Sequence, residues 1–301
     1  LYPGDGDTPS TLLRNADSAM YHAKARGRNT YAFFTREMNR RVSRRLQVEE
    51  QMHGALAKGE FRLAYQPQID MRGNVIFGFE ALLRWNNPVL GAVSPEEFVP
   101  IAEHTGLIVP LGRFVITEAV AVLARLKQRI RGDLCMAINL SPSQFRDPGL
   151  VAFVSSALRR AGIAGEALEL EITEGVLMDG HGYVDKALGE FTGVGIRLVM
   201  DDFGTGYSSL SYLRSYPFDV IKIDRSFVHD IIIDEEDREL VSAAISMAHG
   251  LNMKVVAEGV ETREQLELLA RMGCDCAQGN LFSEAVSEDG AARLLEAREK
   301  D

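Results

Sequence analysis

The feature that most constrains the fold is a regular series of eight short β-rich segments that begins at Phe61. They are residues 61–65, 75–83, 134–140, 168–172, 196–201, 219–223, 253–257 and 275–279. Most are separated by stretches with the 3.6-residue apolar period of a helix, such as 148–161 and 237–250. Alternating strands and helices predict βα units around a parallel sheet, and a closed (β/α)8 barrel needs eight strands.

The first two segments are joined by a short link around Gly73 and Asn74. Two parallel strands need a crossover of about a dozen residues or more, so these two should form an antiparallel pair. The sequence therefore predicts an α/β fold, a TIM-like (β/α)8 barrel with one antiparallel strand.

Two segments precede the barrel, which we assign to residues 59–301. Residues 1–36 read as one helix, with Leu12, Leu13, Ala16 and Met20 on its apolar face, followed by a short strand at 29–34. One helix and one strand cannot bury their apolar faces alone, so this segment is interpreted as the tail of a domain whose body is absent. Residues 37–58 have the amphipathic pattern of a connector helix.

Composition limits the partners and the cellular compartment that are expected for this chain. The net charge of −10 argues against binding to a nucleic-acid polymer, which needs a basic face. No apolar run approaches the roughly 18–20 residues that span a bilayer, so no membrane contact is expected for this segment. Three cysteines fit neither a disulfide framework nor a zinc site and indicate reduced thiols in the cytoplasm. Because the chain begins at Leu1, we expect it to belong to a longer protein that could carry a membrane anchor.

Polar side chains of the kinds that bind metals and phosphates stand at the ends of seven consecutive β-rich segments. They are Glu80, Asn139, Glu171, Asp201 with Asp202, Lys222 with Asp224, Glu258, and Gln278. The carboxyl ends of barrel strands converge on the face that carries the active site. A lone acid at such a position is most often just solvated or paired. Seven in succession instead predict one shared pocket.

So many carboxylates repel one another strongly unless cations neutralise them. Carboxylate and amide oxygens without histidine suit Mg²⁺ or Mn²⁺ rather than Zn²⁺. The adjacent Asp201 and Asp202 favour two ions about 4 Å apart, the arrangement that supports in-line attack of water on a phosphodiester.

These residues lie in motifs that resemble the EAL family of phosphodiesterases over about residues 40–290. In chain order the motifs are Tyr65-Gln66-Pro67, Phe79-Glu80-Ala81-Leu82-Leu83-Arg84-Trp85, Asn139-Leu140-Ser141, Glu171-Ile172-Thr173-Glu174, Asp201-Asp202-Phe203-Gly204-Thr205-Gly206-Tyr207, Lys222-Ile223-Asp224, Ala257-Glu258-Gly259-Val260-Glu261 and Gln278-Gly279. Residues 1–36 resemble the last helix and strand of a GGDEF domain, the cyclase that often precedes EAL. Its signature loop is absent, so no cyclase activity is expected from this chain.

The resemblance implies that this chain hydrolyses the bacterial second messenger cyclic di-GMP to linear pGpG. The reaction would require two bound Mg²⁺ or Mn²⁺ ions. It assigns the first ion to Glu80, Asn139, Glu171 and Asp201, and the second to Asp201, Asp202 and Glu258. Lys222 would stand beside the attacking water, and Glu80 and Glu258 count with it as catalytic. The substrate groove would be lined by Gln66, Leu82, Arg84, Asp224 and Gln278.

The resemblance also implies a regulatory loop and a homodimer. The loop residues would be Glu174, Phe203, Gly204, Thr205, Gly206 and Glu261. An ordinary glycine-containing βα turn is the simpler interpretation of the same residues. The chain departs from the family pattern at Asn280 and at Glu284-Ala285, which affects the expected shape of the groove rather than the metal ligands.

Three alternatives stay open at this point. The first is a receptor that binds cyclic di-GMP without cleaving it, although such proteins tend to lack metal ligands or the lysine that this chain keeps. The second is a barrel hydrolase that acts on another phosphoester. The third is an active barrel held off by residues 1–36.

Overall fold

The computed structural model describes residues 1–25, 29–130, 132–178, 182–204 and 210–298. The chain divides into two units. The smaller unit contains residues 1–61 and 85–105, and the larger contains residues 62–84 and 106–301.

The strands are β1 (Phe61–Asp70), β2 (Val75–Asn87), β3 (Gly91–Val93), β4 (Cys135–Asn139), β5 (Leu168–Thr173), β6 (Arg197–Phe203), β7 (Val220–Ile223), β8 (Lys254–Ala257) and β9 (Cys276–Gln278). The helices are α1 (Pro9–Ala25), α2 (Arg36–Met52), α3 (Pro95–Thr105), α4 (Ile108–Lys127), α5 (Leu150–Ala161), α6 (Glu174–Met178), α7 (Gly182–Gly193), α8 (Leu210–Ser215), α9 (Arg225–His229), α10 (Glu235–Gly250), α11 (Arg263–Arg271) and α12 (Glu288–Arg298). Two short 3₁₀ helices cover Pro142–Arg146 and Gly165–Ala167.

Eight strands close into a barrel in the order β1-β9-β8-β7-β6-β5-β4-β2, with β1 also paired to β2. The strands from β2 through β4 to β9 pair in parallel. β1 runs antiparallel to β9. The predicted barrel with one reversed strand is therefore confirmed, and each of the eight β-rich segments overlaps one barrel strand.

The strand register sets which side chains stand next to one another at the carboxyl edge of the barrel. Asn139 at the end of β4 pairs with Glu171 of β5. Thr173 of β5 pairs with Asp201 of β6, one step further along the same edge. Polar residues 32 and 28 positions apart in the chain are thereby brought into adjacent positions.

An apolar layer inside the barrel supports this edge. It consists of Val199, Val220, Val256 and Cys276, all buried, with Phe77 packed against them. Each of the first four stands two residues before a polar residue of the carboxyl edge, and alternate residues of a strand point to the same face. The interior therefore changes from apolar to polar within two residues along β6, β7, β8 and β9.

The segment before the barrel differs in part from the expectation. The helix of residues 1–36 forms as α1, but residues 29–34, all of them described, form no strand. The strand prediction was wrong because a strand needs a hydrogen-bonded partner, and β propensity does not supply one. The connector helix α2 ends at Met52 rather than at 58, since turns with positive φ at Gly54 and Gly59 follow it.

Cys135, Cys274 and Cys276 are buried free thiols, as the cysteine count predicts. In the described part of the chain, no helix combines the length and the apolarity that crossing a membrane requires.

Within the smaller unit, three aromatic rings form a cluster. The Phe61 and Trp85 rings stack with centroids 5.3 Å apart, and Phe98 of α3 meets both edge-on at 5.7 and 5.8 Å. The Trp85 indole N–H donates a hydrogen bond of 3.0 Å to Glu60 Oε2. α3 is therefore fixed by aromatic packing beside a satisfied polar group.

Replacing Phe98 with alanine should lower the free energy of unfolding by about 3–5 kcal/mol, because the fully buried ring leaves a cavity between two aromatic partners. Urea denaturation measures the change. Val89→Ala, at a side chain that is mostly exposed, is the matched control and should leave the midpoint nearly unchanged. Equal effects of the two substitutions would contradict the packing described here.

Candidate active site

The centre of the site is the ammonium group of Lys222, which is 1% exposed inside the barrel. Its Nζ lies 2.6 Å from Glu258 Oε1 and 2.7 Å from Glu171 Oε1. Glu80 Oε2 is 3.2 Å away, and Asp201 Oδ1 is 3.7 Å away. Four carboxylates therefore face one cation. Glu171, Asp201 and Glu258 lie within two residues of the carboxyl ends of β5, β6 and β8, whereas Glu80 lies within β2, seven residues before its end.

Amide side chains hold Glu80 on both sides. Asn139 Nδ2 donates to Glu80 Oε1 at 2.7 Å, and Gln278 Nε2 donates to Glu80 Oε2 at 2.6 Å. Gln278 in turn accepts from Gln68 Nε2 at 3.1 Å and donates to Gln66 Oε1 at 3.1 Å. This chain of hydrogen bonds fixes the Glu80 carboxylate before any ligand binds.

Gln68 is the member of this network that the sequence analysis missed. It is buried in β1 and pairs in register with Gln278. A signal was present, because Gln66 and Gln68 stand two residues apart in a strand and so share a face. β1 is the reversed strand, so a search of strand carboxyl ends passes over it.

The adjacent aspartates share the site because β6 is irregular at this point. The pairing of β6 with β7 shifts register between Met200 and Phe203, and Asp202 has φ +55°, a left-handed conformation rare for residues other than glycine. In a regular strand Asp201 and Asp202 would point to opposite faces. Instead, oxygens of Asp201, Asp202 and Glu258 lie within 4.8 Å of one another.

The charges of the site shift one another's protonation. Burial alone would lower the pKa of Lys222, but the surrounding carboxylates outweigh it and raise that pKa well above its usual value. Burial and the neighbouring Glu80 raise the pKa of Glu171 well above the ordinary range. Burial also raises the pKa of Glu258 to about 7, against the opposing effect of Lys222. Full ionisation of the four acids would therefore exceed the charge that one ammonium group neutralises.

The donor set fits divalent cations. Both oxygens of Glu171 are buried, and neither accepts a hydrogen bond from the described residues, although Oε1 forms the ion pair with Lys222. A carboxylate has about four lone-pair positions, so Glu171 keeps acceptor capacity that faces a pocket rich in oxygen atoms. Carboxylate and amide oxygens of this kind suit Mg²⁺ or Mn²⁺.

The remaining predicted groove residues have mixed placements. Leu82 and Arg84 are half-buried near the end of β2, and burial lowers the pKa of Arg84. Arg84 Nη1 donates to the carbonyl of Leu83 at 3.1 Å. Asp224 caps α9 by accepting from the backbone N–H of Ser226 at 3.0 Å. Asp224 therefore has a structural task beside any contact with substrate.

Part of the predicted regulatory loop can be placed. Glu174 Oε1 accepts from the backbone N–H of Gly204 at 3.4 Å, next to the buried Phe203. Thr205 and Gly206 lie outside the described residues. Glu261 is exposed, and its backbone N–H donates to Gln265 Oε1 at 2.8 Å. The Glu174 carboxylate is thus in contact with the segment that follows Asp201 and Asp202.

This chain is similar to a known protein family and to several known proteins. The profile of the EAL domain family matches residues 49–285. The bifunctional diguanylate cyclase/cyclic di-GMP phosphodiesterase MucR of Pseudomonas aeruginosa is 43% identical over 94% of this chain. The cyclic di-GMP phosphodiesterase NbdA of the same organism is 41% identical over 94%. The chain spans 41% and 36% of the lengths of these two relatives.

A solved structure of the PaMucR phosphodiesterase in complex with c-di-GMP is also similar. It superimposes with a TM-score of 0.77 at 38% sequence identity. The match covers 81% of this chain and 99% of the solved one.

Replacing Lys222 with methionine should destabilise the protein by about 3–5 kcal/mol in the absence of divalent cations, because buried carboxylates then face one another with no cation. Urea denaturation in the presence of a chelator measures this loss. Lys254→Met, at an exposed position on the neighbouring strand β8, is the control and should have little effect. A Lys222→Met variant as stable as the wild type would show that the carboxylates do not depend on this ammonium.

Proposed function

The chain belongs to the EAL domain family, and from this premise we propose that it hydrolyses cyclic di-GMP to linear pGpG with the help of two Mg²⁺ or Mn²⁺ ions. The observation that carries the proposal is the ring of four carboxylates around the buried Lys222. In the reaction, water oxygen bonds to one phosphorus while the opposite P–O bond breaks, which opens the cyclic dinucleotide and leaves a terminal phosphate.

The side chains divide into two ligand sets that share Asp201. Glu80, Asn139, Glu171 and Asp201 would hold one ion, and Asp201, Asp202 and Glu258 the other. Two bound ions would supply an activated water and would neutralise charge on the leaving oxygen. The irregular backbone at Asp202 supports the second set, because it turns a second carboxylate of the same strand into the pocket.

The remaining site residues orient the substrate. Lys222 is fixed by its ion pairs, so its positive charge is in place where negative charge develops and needs no rearrangement. Gln278 positions Glu80, while the planar guanidinium of Arg84 suits a phosphate oxygen pair. Gln66, Leu82 and Asp224 complete the expected groove. The first two are half-buried.

We also infer that residues 1–36 are the C-terminal remnant of a GGDEF domain, that 37–58 connect it to the barrel, and that 59–301 form the phosphodiesterase. The match to MucR supports this inference. The aligned region leaves 6% of this chain uncovered. Because 6% of the chain is fewer than 36 residues, the aligned region extends into residues 1–36. The free thiols agree with a reducing, cytoplasmic site of action.

We propose that the chain forms a homodimer, as the family resemblance implies. Light scattering on the purified protein should then give a mass twice the 33.2 kDa of one chain. A single species of 33.2 kDa at micromolar concentration would remove the dimer from the proposal and leave the chemistry of the site unaffected.

Purified protein should convert cyclic di-GMP to pGpG when Mg²⁺ or Mn²⁺ is added and should stop when a chelator removes the ion. Glu80→Gln should lower kcat by at least about 100-fold, because it removes one charged ligand while keeping the size of the side chain. Chromatography of the nucleotides gives both rates. Glu264→Gln, at an exposed position on α11, is the matched control and should turn over like the wild type.

If the protein binds cyclic di-GMP but forms no product at any concentration of divalent cation, the result would favour a receptor that does not cleave the nucleotide. Hydrolysis of other phosphoesters but not of cyclic di-GMP would favour a different substrate for the same site. Equal turnover by wild type and Glu80→Gln would refute the proposed ligand set.

A further inference from the structure

Gln265 is a buried polar side chain that lies outside the ring of metal-ligand candidates. It stands in the first turn of α11 and is 4% exposed. Its Oε1 accepts from the backbone N–H groups of Glu261 at 2.8 Å and Thr262 at 2.9 Å. Its Nε2 donates to the carbonyls of Val228 at 3.0 Å and His229 at 3.1 Å. All four hydrogen-bonding positions of the amide are thus in use.

Helix capping accounts for only half of these contacts. Thr262 and Gln265 form a capping box, in which the side-chain oxygen of Gln265 reaches back to the start of α11. The two bonds from Nε2 go instead to the C-terminal end of α9, a separate helix. Gln265 therefore ties α9 to the segment that leads from Glu258 into α11.

α9 also packs against both segments that follow the second ligand set. Gly259, directly after Glu258, has φ +68°, and a Cβ there would lie 2.6 Å from Arg225 Cβ. Gly204, two residues after Asp202, has φ +98°, and a Cβ there would lie 2.9 Å from the Phe227 ring. α9 thus touches the chain beyond β6 and the chain beyond β8 with no room for a side chain at either glycine.

These two segments directly follow the three carboxylates that approach within 4.8 Å of one another, Asp201, Asp202 and Glu258. The other ligand candidates have different support, since Glu80 on β2 is held by the amides of Asn139 and Gln278. The second set therefore adjoins segments that pack against α9, and the C-terminal end of α9 is hydrogen-bonded to Gln265.

We propose that Gln265 is a positioning residue for the second metal ion: through α9 it sets the distance between Glu258 and the Asp201–Asp202 pair. The inference rests on the proposed function. It predicts that Gln265 affects the binding of only one of the two metal ions. A residue that merely stabilised the barrel would instead affect the binding of both ions.

Gln265→Glu isolates the contact, because glutamate can still accept the hydrogen bonds of the capping box but places an oxygen against the Val228 and His229 carbonyls. Calorimetric titration with Mn²⁺ should show one ion bound as in the wild type and the other weakened by about 10-fold or more. Gln265→Met, similar in size and uncharged, repeats the test if the charged variant does not fold, as judged by circular dichroism.

Gln144→Glu is the matched control, because Gln144 is a buried capping-box glutamine in the segment that follows Asn139. It should leave the second ion at wild-type affinity. Equal weakening of both ions in a folded Gln265 variant, or no weakening, would overturn the inference. These outcomes differ from those that would refute the proposed function. If the proposed function were wrong, the wild type itself would bind fewer than two Mn²⁺ ions, or Asp202→Asn would bind as many ions as the wild type.

Discussion

The ion pairs between Lys222 and the carboxylates around it are the interaction on which the site depends. A lysine that is 1% exposed would be costly to bury alone, and so would each buried acid. Together they are tolerated because each supplies the charge that the other lacks. The apolar layer of Val199, Val220, Val256 and Cys276 lies two residues earlier along the same strands. The barrel interior is therefore polar at its carboxyl edge and apolar directly below it. Negative charge still exceeds positive charge, which is the physical reason for expecting cations.

A closed barrel supplies the carboxyl edge, but the second ligand set also needs a local departure from regular structure. The register shift in β6 and the positive φ of Asp202 bring two consecutive carboxylates into one pocket. Glycines at 204 and 259 then let α9 approach closely behind them. In the proposed first ligand set, Glu80 is held by amide hydrogen bonds within the barrel, whereas the proposed second set adjoins segments that pack against α9. The two ions would therefore differ in how easily their ligands are displaced.

Much of the fold was accessible from the sequence because its signals are local. Strand alternation and helical period identified the eight barrel strands, and the short link around Gly73 identified the reversed one. Residues 29–34 form no strand, although their β propensity predicted one. A segment with β propensity forms a strand only where a partner strand is available, as it is for the eight barrel strands. β3 was missed because its three residues are too few to show a period.

The sequence by itself determined which chemical groups stand at the strand ends, and hence a carboxylate-rich site, because barrel strands converge at their carboxyl edge whatever their loops do. Only the tertiary structure decided which of those groups touch. The bond from Gln68 to Gln278 joins residues 210 positions apart, and it exists because β1 runs backwards beside β9. The contacts of Gln265 likewise join the first turn of α11 to the end of α9, at separations of 37 and 36 positions. No pattern along the chain encodes such contacts, since each depends on the closure of the whole sheet.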